Sequence, residues 1–228
     1  MLSIIIPTYN EQDKIAKLIS YLKSNSPKDQ TEIIISDGGS IDKTLQEAID
    51  AGATTIRSPK KGRAAQMNYG ASLAKGDILY FIHADTFPPN CFIDDINKAI
   101  AKGFDLGRYR TKFDSKKCAL KLNAFFTRFD LFMCYGGDQT LFVKKDLFTS
   151  IKGFEETMLI MEDYEIICRA RENANYKIIP KNALVSARKY DSNSWFTVQK
   201  ANYTIVQMYK KGASQSQMVD QYKKMLHY

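Results

Sequence analysis

Four short apolar runs fill the first hundred residues, each followed by an amphipathic stretch, and this alternation constrains the fold more than any other feature. Leu2–Ile6 is an apolar run stopped by Pro7, as a buried parallel strand would be. Glu11–Ser24 then places Ile15, Leu18, Ile19 and Leu22 on one helical face. Glu32–Ile35 is a second strand, cut off by Asp37-Gly38-Gly39-Ser40, with a helix over Asp42–Ala51 closed by Gly52. Thr54–Arg57 is a third strand and Arg63–Ala74 a third helix. Asp77–Ile82 is a fourth strand, with a helix inside Pro88–Ala101. A strand–helix order of this kind builds a mainly parallel sheet covered by helices on both faces. Such sheets bind ligands beyond the carboxyl ends of their strands, here Pro7–Glu11, Ser36–Asp42, Ser58–Arg63 and His83–Thr86.

The second half is less regular. Strands are expected at Leu106–Phe113, Thr140–Val143, Tyr176–Ile179 and Ala183–Ala187, and short helices at Asp146–Ile151 and Glu162–Asn173. Lys117–Met133 has helical spacing, with Leu122, Phe125, Phe126 and Phe129 on one stripe. The tail from Asn193 is helical with a break near Gly212. With no repeat or linker, 1–228 is one α/β domain. Residues 1–100 form a nucleotide-binding half, 101–190 an acceptor-side half and 191–228 a helical tail.

The strand ends carry chemically suggestive residues, each with a plainer reading beside it. Pro7-Thr8-Tyr9-Asn10-Glu11 is in isolation a strand-to-helix turn, with Asn10 able to cap the helix. Asp37 can accept a hydrogen bond from a base or ribose, and its glycines allow either close ligand approach or a tight turn. Lys60-Lys61-Gly62-Arg63 stands where a helix begins, and suits a phosphate or a solvated loop equally. Asp85, leaving a buried strand, can bridge to phosphate oxygens through a divalent cation or serve as a turn residue. Glu162-Asp163-Tyr164-Glu165 opens a helix, where acids are favourable on structural grounds and one can act as a general base.

Charge and composition remove several classes. The chain carries 33 Lys+Arg against 25 Asp+Glu, a net +8, which calls for an anionic partner. The excess lies in two clusters, 57–63 and 108–128, which fit a small anionic ligand or a surface contact better than a nucleic-acid groove. Only His83 and His227 are histidines, which excludes a multi-histidine zinc site from this chain alone. Cys91, Cys118, Cys134 and Cys168 form no CxxC motif and read as reduced thiols. No apolar stretch is long enough to span a bilayer and no leader pattern precedes the first strand, so a cytoplasmic protein is expected. No GxGxxG follows the first strand, against a dinucleotide-binding dehydrogenase.

In register, IIPTYNE at 5–11, SDGGSIDKT at 36–44, KGRAAQMNYGA at 61–71, FIHADT at 81–86, GGDQTLFVKK at 136–145, MEDYE at 161–165 and SARKY at 186–190 resemble the family 2 glycosyltransferases of the GT-A fold. The HADT and GDQ motifs look like a small soluble bacterial branch often labelled by genome context for arsenosugar biosynthesis, a label that is not evidence of substrate. The resemblance implies an inverting transfer of sugar from a nucleotide-diphosphate sugar, with UDP favoured, to an acceptor hydroxyl. It places Pro7, Tyr9, Glu11, Asp37, Arg63, Gln66 and Ala84 around the nucleotide, with Arg63 and Gln66 near the diphosphate or base. Asp85 matches the metal-binding acid of the DxD motif, for Mn or Mg, while His83 replaces that motif's first acid and puts strict metal dependence in doubt. His83 then stands as ligand, phosphate donor or second-rank support. Asp163 matches the catalytic base, with Glu162 beside it, and Asp138 and Gln139 border the acceptor. Arg188 and Lys189 would bind diphosphate once a C-terminal loop closes.

The alternatives are a non-catalytic nucleotide-sugar-binding module, supported by His83, and a nucleotidyltransferase, for which the PTYNE loop lacks the expected glycine and lysine. A third reading gives residues 108–133, basic and carrying Phe125, Phe126, Phe129 and Phe132, to nucleic-acid or membrane binding, the latter as a peripheral contact at the inner membrane face that presents a lipid-linked acceptor. Core packing is the better explanation for most of those aromatics.

Overall fold

A computed structural model describes residues 1–27, 29–136 and 139–227. The strands are β1 (Leu2–Thr8), β2 (Thr31–Asp37), β3 (Thr54–Arg57), β4 (Ile78–Phe81), β5 (Thr86–Phe87), β6 (Leu106–Asp114), β7 (Leu141–Lys144) and β8 (Tyr176–Ser186). The helices are α1 (Gln12–Ser24), α2 (Thr44–Asp50), α3 (Arg63–Leu73), α4 (Phe92–Ala101), α5 (Cys118–Phe126), α6 (Lys145–Ser150), α7 (Glu162–Ala170), α8 (Lys189–Ser192), α9 (Trp195–Lys210) and α10 (Gln215–Met225). The strands form one sheet in the order β3-β2-β1-β4-β7-β6-β8-β5. Pairs β1–β2, β1–β4, β2–β3 and β6–β8 are parallel, while β7 runs antiparallel to both β4 and β6, and β5 to β8.

Two layers of helix cover this sheet. Ile4, Ile6, Ile15, Leu18, Ile19, Ile35, Tyr80, Phe92 and Ile96 make one core with α1, α2 and α4. Ile5, Ile34, Met67, Leu79, Phe81, Phe148, Phe154, Ile166 and Ile167 make the other with α3, α6 and α7. The alternation of Ile4 and Ile6 against Ile5 shows why β1 reads as an unbroken apolar run: both of its faces are covered. The tail helices α9 and α10 pack through Val198, Ala201, Ile205, Val206 and Met218.

The expected mainly parallel α/β sheet is present, with three local differences. Strand β1 runs through Pro7 to Thr8 rather than stopping at it. The Ile5 carbonyl accepts from Ile82 at 3.2 Å, so the odd residues of β1 face β4, and β4 ends opposite Ile5. The missing N–H of Pro7 therefore points where no strand remains to receive it. The two expected strands at 176–187 are one strand, β8, with a bulge where Tyr109 and Arg110 face Ile179 and Asn182. Pro180 sits in that bulge, where no ladder donor is needed. Finally, the helix expected over 117–133 ends at Phe126. Thr127 turns its hydroxyl back to the Ala124 carbonyl at 2.7 Å and receives the Thr111 N–H at 2.9 Å, which fastens the chain to β6.

Candidate active site

The topology delivers every strand end of interest to one edge. Thr8, Asp37 and Arg57 end the parallel strands β1 to β3, and β4 leads into His83-Ala84-Asp85. Because β7 is antiparallel, Leu141 pairs with Phe81 and the chain entering it, Gln139-Thr140, lies at the same edge. The backbone N–H of Ser186, at the end of β8, reaches the Asp85 carbonyl at 3.3 Å.

The first two loops are laced together. Asp37 is fully buried; its Oδ2 accepts from the N–H groups of Gly39 and Ser40 at 2.9 Å each, and its Oδ1 accepts from the Ser40 hydroxyl and from Thr8 Oγ1 at 3.4 Å. Arg57 Nε lies 3.8 Å away. The Gln66 amide donates to the carbonyls of Thr8 and Ser36, 2.8 Å each, tying β1 to β2. Gly38 is needed here, because a Cβ would meet the Gln66 side chain at 2.9 Å. Asn10 does not cap α1. It adopts φ 54°, which Asn tolerates, and accepts from the Ile41 N–H at 3.0 Å. Pro7 and Ala84 are buried, whereas Tyr9 is exposed.

At the same edge, two carboxylates share one cation. Arg188 donates to both Glu11 oxygens at 2.6 and 3.0 Å, and its Nε lies 3.2 Å from Asp85 Oδ2. Lys14 Nζ approaches the same Asp85 oxygen at 3.9 Å. Glu11 and Asp85 therefore converge closely enough for one cation to bridge them, although they leave different strands. Lys189 instead stands over the Tyr222 ring of α10 at 5.8 Å. His83 is half-buried, and its carbonyl accepts from the Thr86 N–H at 3.1 Å. Among the described residues, no three His, Cys, Asp or Glu side chains converge as a metal cluster. One hard carboxylate at Asp85 nonetheless fits Mg²⁺ or Mn²⁺ chemistry, where one or two protein acids and substrate phosphates share the ion.

The third part of the site is the start of α7. Met161 at φ 71° turns the chain so that Glu162 points inward and Asp163 is half-buried. Glu162 is 1 % exposed, and Arg63 Nε, from the first residue of α3, lies 2.7 Å from its Oε1. Neither Glu162 oxygen receives an aligned hydrogen bond among the described residues, so the contact holds by charge rather than by direction. Arg63 thus pairs with Glu162 from the first residue of α3. Lys60 pairs with Glu156 at 2.6 Å, and that hydrogen bond draws the Glu156 pKa down. Tyr164 packs on Gly136, where a Cβ would collide with its ring; burial first, then the neighbouring Asp163 charge, pushes its phenol pKa up. Gln139 donates to the Cys134 carbonyl, and its own Oε1 is buried with no partner among the described residues. Asp138 lies outside the described residues. A cleft of about 570 Å³ opens between Arg63, Leu159, Ile160, Tyr222, Lys223 and Leu226. It lies between the α3 and α7 starts and α10. Sequence reasoning missed Lys14 and Ser40; an i, i+3 spacing from Glu11 is the only local signal for the former.

A parallel sheet with an antiparallel insert, its acidic loops gathered at the carboxyl edge, is the GT-A architecture. The mannosyltransferase PcManGT of Pyrobaculum calidifontis, solved with GDP-Man and Mn²⁺, superposes with TM-score 0.69 at 14% identity, over 90% of this chain and 61% of that one. S. aureus TarS 1-349, solved with UDP-GlcNAc, gives TM-score 0.68 at 18% identity, over 82% and 58%. Residues 3–153 match Glycosyl transferase family 2, and the chain belongs to that family. Protein RfbJ of Shigella flexneri is 36% identical over 106 residues, 46% of this chain and 81% of the relative. A glycosyltransferase of Haemophilus influenzae is 24% identical over 192 residues, 77% of this chain and 64% of the relative. The chain thus spans less than two thirds of the Haemophilus relative and of both solved chains.

Proposed function

We propose that the protein is an inverting glycosyltransferase that moves a sugar from a nucleotide-diphosphate sugar, with UDP favoured, to an acceptor hydroxyl. The observation that carries the reading is the convergence of Glu11 and Asp85 on the Arg188 guanidinium. A cation already sits between acids from two strand ends, where a nucleotide diphosphate with its metal would lie. Asp85 would hold Mn²⁺ or Mg²⁺, which when bound neutralises charge on the departing diphosphate. Exposed Tyr9 offers a face to the base and Glu11 an acceptor for ribose hydroxyls. On donor binding Arg188 leaves the carboxylates for the phosphate oxygens, a bidentate partner of the same geometry.

Asp163 takes the proton of the acceptor hydroxyl as that oxygen bonds to C1 and the bond from C1 to the diphosphate oxygen breaks. One displacement from the opposite face inverts the anomeric centre. A positioned base of this kind contributes roughly 10²–10⁴-fold. Arg63 holds Glu162 in its buried position and so sets where Asp163 projects. Residues 1–100 serve the donor, 101–190 the acceptor, and the tail 191–228 covers the cleft.

A thermal-shift screen of UDP- and GDP-sugars, with and without Mn²⁺, tests the donor. At about a hundred times Kd a true donor stabilises the fold by about 2.7 kcal/mol, roughly 5–10 °C for a chain this size. Stabilisation without any release of nucleoside diphosphate in the presence of sugar acceptors would reduce the protein to a binding module. No stabilisation by any sugar nucleotide would remove the transferase reading.

A further inference from the structure

The apolar stripe of α5 does not enter the core. Leu122, Phe125, Phe126, Phe129, Leu131 and Met133 each expose between 41 and 58 % of their surface, so core packing fails for three of the four phenylalanines in the segment. Only Phe132 turns inward, against Tyr164 and Tyr209. The three outer rings pack on one another, with centroids 5.8, 5.6 and 6.2 Å apart, and Arg128 lies over the Phe125 ring at 3.9 Å. An apolar patch of this extent on a folded chain marks an interaction surface.

The fold holds this patch outward. Arg108 on β6 is completely buried, and its guanidinium donates to the carbonyls of Thr127 at 2.7 Å and Phe129 at 3.4 Å. No carboxylate pairs with Arg108 among the described residues. A buried cation is thus committed to fixing the turn that displays the phenylalanines. On the same segment Lys116, Lys121 and Arg128 are exposed, whereas Lys117 donates to the Tyr190 carbonyl and lies 4.0 Å from Asp191. The nearby acid Asp130 is neutralised by a bidentate pair with Arg171, 2.7 Å to each oxygen. The patch is therefore apolar at its centre and basic at its rim.

We propose that this face, α5 and residues 127–133 with the 78 %-exposed Phe196 beside it, docks on the surface of an anionic lipid bilayer. Charge decides the occupant: a second copy would bring the same cations, Lys116, Lys121 and Arg128, against themselves, whereas anionic headgroups complement them. Trp195 ties Phe196 to the patch, since its indole donates to Asn123 of α5 at 3.1 Å and its ring lies 5.0 Å from that of Phe196. The far end of the patch adjoins the base: the Tyr164 hydroxyl donates to the Met133 carbonyl at 3.4 Å, one residue from Asp163. An acceptor held at the membrane would thus meet the cleft from this side. The docking rests on exposure and charge alone, whereas acceptor presentation also rests on the transferase reading. A binding assay separates the two.

The test is co-sedimentation of the full chain with vesicles of phosphatidylcholine alone or with about 30% phosphatidylglycerol. The anionic vesicles should bind it, and raising salt to about 0.5 M should release most of it. Phe125→Ser with Phe126→Ser and Phe129→Ser should weaken binding roughly tenfold or more, with an unchanged far-UV spectrum because the rings are already outside. Lys116→Gln with Lys121→Gln should weaken it while leaving the rings intact. Trp195 is the only tryptophan, and brominated lipid should quench its fluorescence in the wild type and not in the serine variant. Absence of binding to the anionic vesicles, or equal binding by the serine variant, overturns the proposal. A dimer in sedimentation equilibrium that the serine variant abolishes assigns the face to a second copy and overturns it as well.

Discussion

Replacing Arg188 by Met should change cation binding in opposite directions with and without nucleotide. The guanidinium makes two hydrogen bonds to Glu11 and one ionic contact to Asp85, at 2.6, 3.0 and 3.2 Å. The two acids are only 13 and 12 % exposed, but the Arg188 side chain is 55 % exposed, so solvent screens the group heavily. Exposed pairs are worth about 0.2–1 kcal/mol each, and a bidentate pair to half-buried acids lies at the upper end, so about 1–1.5 kcal/mol is the whole contribution. Without Arg188 the two carboxylates face each other with Lys14 at 3.9 Å as the cation among these contacts. In the free protein a divalent ion no longer competes with the guanidinium, and its affinity rises by about tenfold, since 1.36 kcal/mol is a factor of ten. With nucleoside diphosphate present, the missing guanidinium no longer holds phosphate oxygens, and donor affinity falls. Titration of Mn²⁺ followed by the electron paramagnetic resonance of the free ion reads both states. Equal or weaker Mn²⁺ binding by the nucleotide-free variant would refute the competition.

Two further perturbations test the frame around the site. Arg63→Met leaves the buried Glu162 carboxylate uncompensated and should cost about 2 kcal/mol in urea unfolding, less than a fully buried pair because Arg63 is 42 % exposed; adding Glu162→Gln should recover much of that loss, and a purely additive double variant would show that the two do not interact. Asp105 accepts from Lys144 Nζ at 2.8 Å and from the Asn175 N–H at 2.9 Å, and these bonds hold its pKa below the ordinary 3.8. A depressed folded pKa gives stability that is complete above the unfolded value and disappears as pH falls through the folded one, so Asp105→Asn should destabilise by about 1 kcal/mol at pH 7 and the gap should close under acid; a gap independent of pH would contradict the pairing.

The fold of residues 1–100 was legible because its signals are local. Apolar runs, a helical face at Ile15-Leu18-Ile19-Leu22 and glycine stops each act within a few residues. Strand β1 passing Pro7 was not legible, because it depends on β4 ending opposite Ile5. The end of α5 at Phe126 was missed because its cause, Arg108 and Thr111 reaching Thr127, lies on β6. For the same reason the stripe of phenylalanines read as core. A helical stripe shows amphipathicity and not what covers it. At the site, residue types and their order were readable, but pairings were not. Arg188 meets Glu11 across 177 positions, and Arg63 at the start of α3 meets Glu162 at the start of α7. Asp37 and Gln66 were read as ligand contacts, and they also bind the ends of β1 and β2 together.

The account stands most directly on Asp163 as base. The decisive measurement is release of nucleoside diphosphate from the sugar nucleotide that best stabilises the wild type, compared between wild type and Asp163→Asn, with donor binding measured on both by thermal shift. The account predicts that the variant keeps the shift within about a degree while release falls by at least a hundredfold. Release at the wild-type rate by Asp163→Asn would contradict it.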